Sequence, residues 1–195
     1  MKLSGKNVGI AFTGSYCTFD KVFPQIEKLI RENAIVYPIF SERSQTTDTR
    51  FGLAKDFLLR AEAITGKQPI TTIAEAEKIA PNKMLDILAI APCTGNTLAK
   101  LALAITDSTV LMAAKAMLRN GKPVVIAIST NDALSNNLKN IGYLANSKNV
   151  YFVPFRQDNY RDKPNSMVAE FDLLVPALEE ALDGRQLQPI LLNPK

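Results

Sequence analysis

Two short stretches concentrate the residues that could do chemistry. Thr13-Gly14-Ser15-Tyr16-Cys17 follows the apolar run Val8 to Phe12, and Pro92-Cys93-Thr94-Gly95-Asn96-Thr97 follows the run Ile87 to Ala91. In the first, Gly14 lets backbone approach a ligand closely, and Ser15 adds a hydroxyl beside the amides of a helix start. Such a turn suits an anion. It carries neither the Lys-Ser/Thr ending of a P-loop nor the third glycine of a dinucleotide fingerprint. With Thr13 and a single glycine, it fits a monophosphate better than a pyrophosphate. Ser41, just past the run Ile35 to Phe40, is placed to reach the same phosphate. In the second stretch Thr94 and Thr97 bracket Asn96, offering hydroxyls and an amide to a polyol or a carboxylate. Arg50 is a candidate clamp for a carboxylate, because its fork binds one bidentately. Asn131, beside Asp132, either caps the next helix or contacts substrate. Cys17 and Cys93 belong to these stretches at the strand carboxyl ends, either flanking a pocket or as small buried side chains.

What the chain lacks narrows the chemistry. It contains no histidine, which excludes mechanisms built on an imidazole base. Two cysteines cannot make a zinc site unaided, so no metal is expected. The net charge of +4 is spread without a Lys/Arg run or interleaved aromatics, so no nucleic-acid partner is expected. No apolar run approaches the roughly 20 residues that span a bilayer. The opening Met-Lys-Leu-Ser-Gly-Lys lacks the apolar segment of a signal peptide, and a cytoplasmic location is the expectation.

The elements that must position these residues follow from hydrophobic patterning. The runs Val8–Phe12, Ile35–Phe40, Ile87–Ala91, Val124–Ile128 and Val150–Phe155 are rich in Val and Ile and do not alternate, as in strands buried on both faces. A weaker strand is expected around Ile70–Ile73. Helical patterns separate them over 20–33, 97–106, 109–120, 132–145 and 166–182, the third closed by Gly121 and Pro123. Strands alternating with helices predict an α/β fold: a three-layer, doubly wound, mostly parallel sheet of Rossmann-like kind. Residues 1–185 read as one domain, and 186–195, with two prolines and little periodicity, as a C-terminal tail without order. In such a sheet ligands bind beyond the carboxyl ends of the strands, where both stretches lie.

Residues 91–102, APCTGNTLAKLA, resemble the Pro-Ala-Ser-Ala-Asn-Thr motif of the homo-oligomeric flavin-containing cysteine decarboxylases and related flavoproteins. The TGS turn is similar to that superfamily's phosphate turn. TGSYCTFDKVFPQIEKL, TDTRFG, TDSTVLMAAKAMLRNGKPVVIAISTNDAL and PFRQDNYRDKPNSMVAEFDLL resemble one branch of it, one chain of a two-subunit enzyme of sporulating bacteria. The resemblance implies a flavoprotein fold and FMN as cofactor. It places Gly14, Ser15 and Ser41 at the FMN phosphate. Thr94 and Thr97 would flank the ribityl chain or flavin ring, Thr13 and Pro92 would also be cofactor-binding, and Asn96 would face a substrate carboxylate. It also implies trimers or multiples of them. The expected partner is an A subunit resembling a nicotinamide-dependent dehydrogenase, with a dihydropyridine dicarboxylate as substrate. The decarboxylases of this superfamily use an active-site histidine, which this chain lacks. A silent product-binding or stabilising subunit, and a stand-alone flavin-dependent decarboxylase or prenyltransferase, are the alternatives.

Overall fold

The computed structural model describes residues 2–193. A seven-stranded sheet, with the spatial order β2-β1-β3-β4-β7-β6 and β5 also on β4, organises the chain. Its parallel part comprises β1 (Asn7–Phe12), β2 (Ile35–Phe40), β3 (Ile87–Cys93), β4 (Val124–Thr130) and β5 (Val150–Phe152). Their order, 2-1-3-4-5, is that of a doubly wound flavodoxin-like sheet. The register runs from Asn7↔Ile35 to Phe12↔Phe40 between β1 and β2, and from Val8↔Ile87 to Ala11↔Ile90 between β1 and β3. Every residue of β3 is buried, as expected for a central strand covered on both faces. Pro38 is tolerated in β2 because that strand lies at the edge, where the missing N–H leaves no ladder bond unmade.

Helices cover both faces. On one side α1 (Phe19–Arg31) packs with α8 (Leu174–Leu182). On the other, α6 (Thr109–Arg119) packs with α4 (Ile73–Glu77) and α5 (Gly95–Ala102), and α5 packs with α7 (Leu138–Ala145). Two more helices, α2 (Glu42–Thr46) and α3 (Ala54–Thr65), close the β2 side. A cluster of rings sits where β1 and β2 end. Phe12 stacks on Phe40 at 4.6 Å and meets Phe19 edge-on at 5.0 Å, with Phe23 and Phe57 beside them. Such pairs contribute about 0.5–1.5 kcal/mol beyond their burial, and they anchor the loops that leave both strands.

The predicted fold class is the one observed, with local differences. The run Val150–Phe155 is divided: β5 ends at Phe152, and β6 (Phe155–Asn159) turns into an antiparallel hairpin with β7 (Lys163–Ala169). The outer edge of β4 serves two partners, β5 along Val124–Ile126 and β7 at Ser129 and Thr130. The helix expected from 166 therefore begins only at Leu174. The helix expected from 132 begins at Leu138, after a seven-residue turn over 131–137. The weak strand at 70 reduces to one bridge, Ile70 to Ile39.

The tail is ordered as far as it is described. The Gln186 side chain accepts from Phe152 N–H and donates to Phe152 C=O, both at 2.7 Å, sealing the open edge of β5. Beyond it, Phe155 N–H donates to Ile190 C=O and Leu192 N–H donates to Phe155 C=O. Residues 194–195 of the expected tail lie outside the described residues. No helix among the described residues is long and apolar enough to cross a membrane, and no group of His, Cys, Asp or Glu among them is arranged to hold a metal.

Candidate functional site

In a 2-1-3-4-5 sheet the connections leave β1 and β3 in opposite directions, so a crevice opens between their carboxyl ends. A cleft of about 620 Å³ occupies that place, lined by Thr13, Gly14, Tyr16, Ser41, Glu42, Arg43, Thr47, Thr94, Asn96, Thr97, Lys100, Asp107, Ser108 and Leu111. Its size lies within the roughly 300–1,000 Å³ of ordinary ligand pockets. The loops after β1, β2 and β3 and the start of α6 each supply part of the wall.

Buried hydroxyls tie these loops together. The Thr13 hydroxyl, almost fully buried, donates to Pro92 C=O at 2.6 Å and accepts from Thr94 N–H at 3.0 Å, locking the β1 and β3 loops to each other. Thr94 caps α5: its Oγ1 accepts from Thr97 N–H at 3.3 Å and donates to Thr97 Oγ1 at 3.1 Å. The amides of Gly95 and Asn96, at the start of that eight-residue helix, have no intrahelical acceptor and carry the positive end of its dipole. Ser41 caps α2 in the same manner, accepting from Ser44 N–H, while Ser44 donates onward to Phe12 C=O at 3.0 Å.

Thr13, Gly14, Ser41, Thr94, Asn96 and Thr97 thus meet in one cleft. Ser15 stands beside it. Its N–H donates to Thr13 C=O at 2.7 Å and its hydroxyl pairs with Ser129 at 2.7 Å, bridging the β1 turn to the end of β4. Pro92 is buried behind the wall, its carbonyl engaged by Thr13. Arg50 is outside the cleft, exposed and stacked over Phe51 at 4.9 Å. Asn131 is exposed in the turn after β4, and α7 starts seven residues later behind Asn137, so neither Asn131 nor Asp132 caps it. Asp132 instead accepts from Thr130 Oγ1 at 2.6 Å and Asn137 Nδ2 at 2.8 Å.

Burial pushes the Cys93 thiol far up from its ordinary value, so it remains protonated and is a packing residue. Cys17 is exposed, with its sulfur 3.8 Å from Ser15 Oγ. Sequence reasoning did not single out the cleft's charged residues, Glu42, Arg43, Lys100 and Asp107. Lys100 was findable, because it stands one helical turn after Asn96, at the i,i+4 spacing that shares a face. Arg43 directly follows the strand-end pair Ser41-Glu42, where the carboxyl-end rule points.

Comparison with known proteins bears on the family and the fold. The sequence profile of the Flavoprotein family matches residues 1–182. The B subunit of dipicolinate synthase from Bacillus subtilis (strain 168) is 50% identical over 191 residues, covering 98% of this chain and 96% of the relative. The crystal structure of the corresponding dipicolinate synthase polypeptide from Bacillus halodurans C superposes with a TM-score of 0.92 at 48% identity, covering 100% of both chains. The FMN-dependent cysteine decarboxylase SpaF superposes with a TM-score of 0.63 at 18% identity, over 94% of this chain and 99% of its own. That last likeness is one of fold. The chain belongs to the Flavoprotein family, among the relatives of the dipicolinate synthase B subunit.

Proposed function

We propose that this chain is the flavin-pocket subunit of a two-chain dipicolinate synthase. It would act with an A subunit to form dipicolinate from a dihydrodipicolinate-type precursor during sporulation, in the mother-cell cytoplasm. The observation that carries the reading is the cleft at the β1–β3 crevice, walled by hydroxyls, one amide and the start of α5. The Bacillus subtilis relative is named as a dipicolinate synthase subunit, and SpaF is named FMN-dependent.

The residues present fit FMN. A Cβ added at Gly14 would meet nothing nearer than Tyr16 Cε2 at 3.7 Å, so the wall is open where a phosphate would approach. Thr13, Gly14 and Ser41 would hold the phosphate, with Ser15 bracing the turn from behind. Thr94 and Thr97 would line the ribityl chain or the ring, and Pro92 would shape their loop. Bound there, FMN would supply a two-electron acceptor. Asn96 and the α5 amides would orient a substrate carboxylate, a task for donors that are already fixed. Without histidine, and with the cleft carboxylates Glu42 and Asp107 already held by Thr109 and Lys100, a proton leaving the substrate ring would pass to water. The chain would self-associate as a homo-oligomer, as trimers or multiples.

Titration calorimetry with FMN and riboflavin, together with the visible spectrum of the purified chain, tests the reading. FMN should bind and riboflavin should bind more weakly, because the phosphate is the group recognised at Gly14. A colourless protein giving no heat with FMN would favour a silent, product-binding role instead.

A further inference from the structure

Four charged side chains line the cleft: Glu42, Arg43, Lys100 and Asp107. Asp107 is committed to Lys100 at 2.6 Å. Glu42 Oε1 accepts from both the N–H and the hydroxyl of Thr109, each at 3.0 Å, at the first turn of the eleven-residue α6. The positive end of that helix adds to these two contacts in offsetting the carboxylate. Arg43 is different. Its carbonyl accepts from the Tyr16 hydroxyl at 2.7 Å, which fixes its backbone against the β1 turn. Among the described residues its guanidinium has neither an ion pair nor a hydrogen bond. The four formal charges cancel in sum, and Arg43 is the one cation among them that no carboxylate pairs with; it lines the cleft together with Asn96, at the start of α5.

We propose that Arg43, rather than Arg50, binds one carboxylate of a planar dicarboxylate whose other carboxylate faces Asn96 and the first turn of α5. This deepens the functional reading above and rests on it for the substrate class. A guanidinium fork takes a carboxylate bidentately, which a lone ammonium cannot do. One unpaired cation in a cleft that also offers neutral donors gives it a reason to prefer a diacid over the corresponding monoacid. Arg50, stacked on Phe51 outside the cleft, has no such role.

The test is calorimetric titration of the full chain, free of FMN and saturated with it. The ligands are pyridine-2,6-dicarboxylate and pyridine-2-carboxylate, with FMN and riboflavin titrated separately. Arg43→Met should weaken the diacid roughly tenfold or more and erase its preference over the monoacid, in keeping with the strength of charge-assisted bonds. Arg43→Lys should recover only part of the loss, and Arg50→Met should match the unaltered chain. Arg43 is exposed, and an unchanged far-UV circular dichroism spectrum verifies that each variant is folded. Three results would overturn the proposal: no diacid binding by the unaltered chain, equal diacid affinity in Arg43→Met, or a loss confined to FMN relative to riboflavin. The last would assign the guanidinium to the phosphate. Absence of FMN binding would count against the flavin reading alone, since the diacid series is read in flavin-free protein as well.

Discussion

Gly14 and Gly95 sit in the two loops that frame the cleft, and each is small for its own reason. Neither has a positive φ, so conformational freedom explains neither. A Cβ at Gly95 would lie 2.5 Å from Asp132 Oδ1, 2.6 Å from Thr130 Oγ1 and 2.7 Å from Asn137 Nδ2. These atoms already bond to one another and brace the turn after β4. Gly95→Ala should therefore cost about 1–3 kcal/mol by overpacking, seen as a melting temperature several degrees lower. At Gly14 the added methyl meets only ordinary contact, so Gly14→Ala should leave stability within about 0.5 kcal/mol. It should still weaken FMN at least roughly tenfold, because the methyl projects where the phosphate would come. Equal stability loss in the two variants, or undiminished FMN affinity in Gly14→Ala, would separate the glycines wrongly. The site was legible at this scale for hydroxyl and amide residues at strand ends. Ser15 was harder, because its partner Ser129 is 114 residues away and no local pattern reports a bridge of that kind.

At the scale of elements, the parallel strands and the helices with a broad apolar face were readable, and what escaped depended on distant contacts. In α3 only Ala54, Phe57 and Ala61 are buried, too narrow a stripe to stand out. The run Ser166-Met167-Val168-Ala169 fits helix or strand equally in sequence. Pairing with β4 and β6 decides for strand. The short α4 shows how a local device supports the site. Thr72 and Glu75 form a capping box, with Thr72 Oγ1 accepting from Glu75 N–H and Glu75 Oε2 accepting from Thr71 N–H and Thr72 N–H at 3.0 and 3.1 Å. The neighbouring Thr71 C=O lies 3.0 Å from Thr109 Oγ1 and shares that hydroxyl's single proton with Glu42 Oε1. The Thr71 amide, ahead of the other contacts, holds the Glu75 carboxyl below its ordinary value of 4.5. A depressed carboxylate contributes stability that is present above its unfolded pKa and lost as pH falls through the folded one. Glu75→Gln, which keeps the acceptor oxygen but not the charge, should thus be less stable than the unaltered chain at pH 7, by about 0.5 kcal/mol for so exposed a group. Denaturant melts from pH 7 downward should show that gap closing below about pH 4.5. A gap unchanged at pH 3 would mean that charge plays no part in the cap.

On the scale of the whole molecule, the sheet leaves some apolar surface uncovered. Leu103 at 69% exposure and Tyr143 at 64%, with Ile105 and Leu138, lie at the ends of the packed pair α5 and α7. Large apolar side chains left in water accord with a chain that works against other chains. The cleft itself leads to the same expectation by another route. Converting a dihydropyridine dicarboxylate into its aromatic product removes a hydride and a proton from the ring. A nicotinamide cofactor taking the hydride needs a pyrophosphate cradle, ordinarily a Gly-rich turn after β1. Here that turn has Gly14 alone, and the neighbouring Ser15 amide is closed onto Thr13 C=O. The proton has no histidine to go to, and the cleft carboxylates are engaged with Thr109 and Lys100. The isolated chain, free of FMN and given precursor and NAD(P), should accordingly form no dipicolinate above the spontaneous rate, and adding the A subunit should restore formation. Asn96→Ala should slow the mixed subunits while leaving their co-elution in size-exclusion chromatography intact, because Asn96 is exposed in the cleft and its loss disturbs no packing. Dipicolinate appearing from the isolated chain at the rate of the pair would show that the single-glycine turn suffices for hydride chemistry, and the division of labour would fall with it.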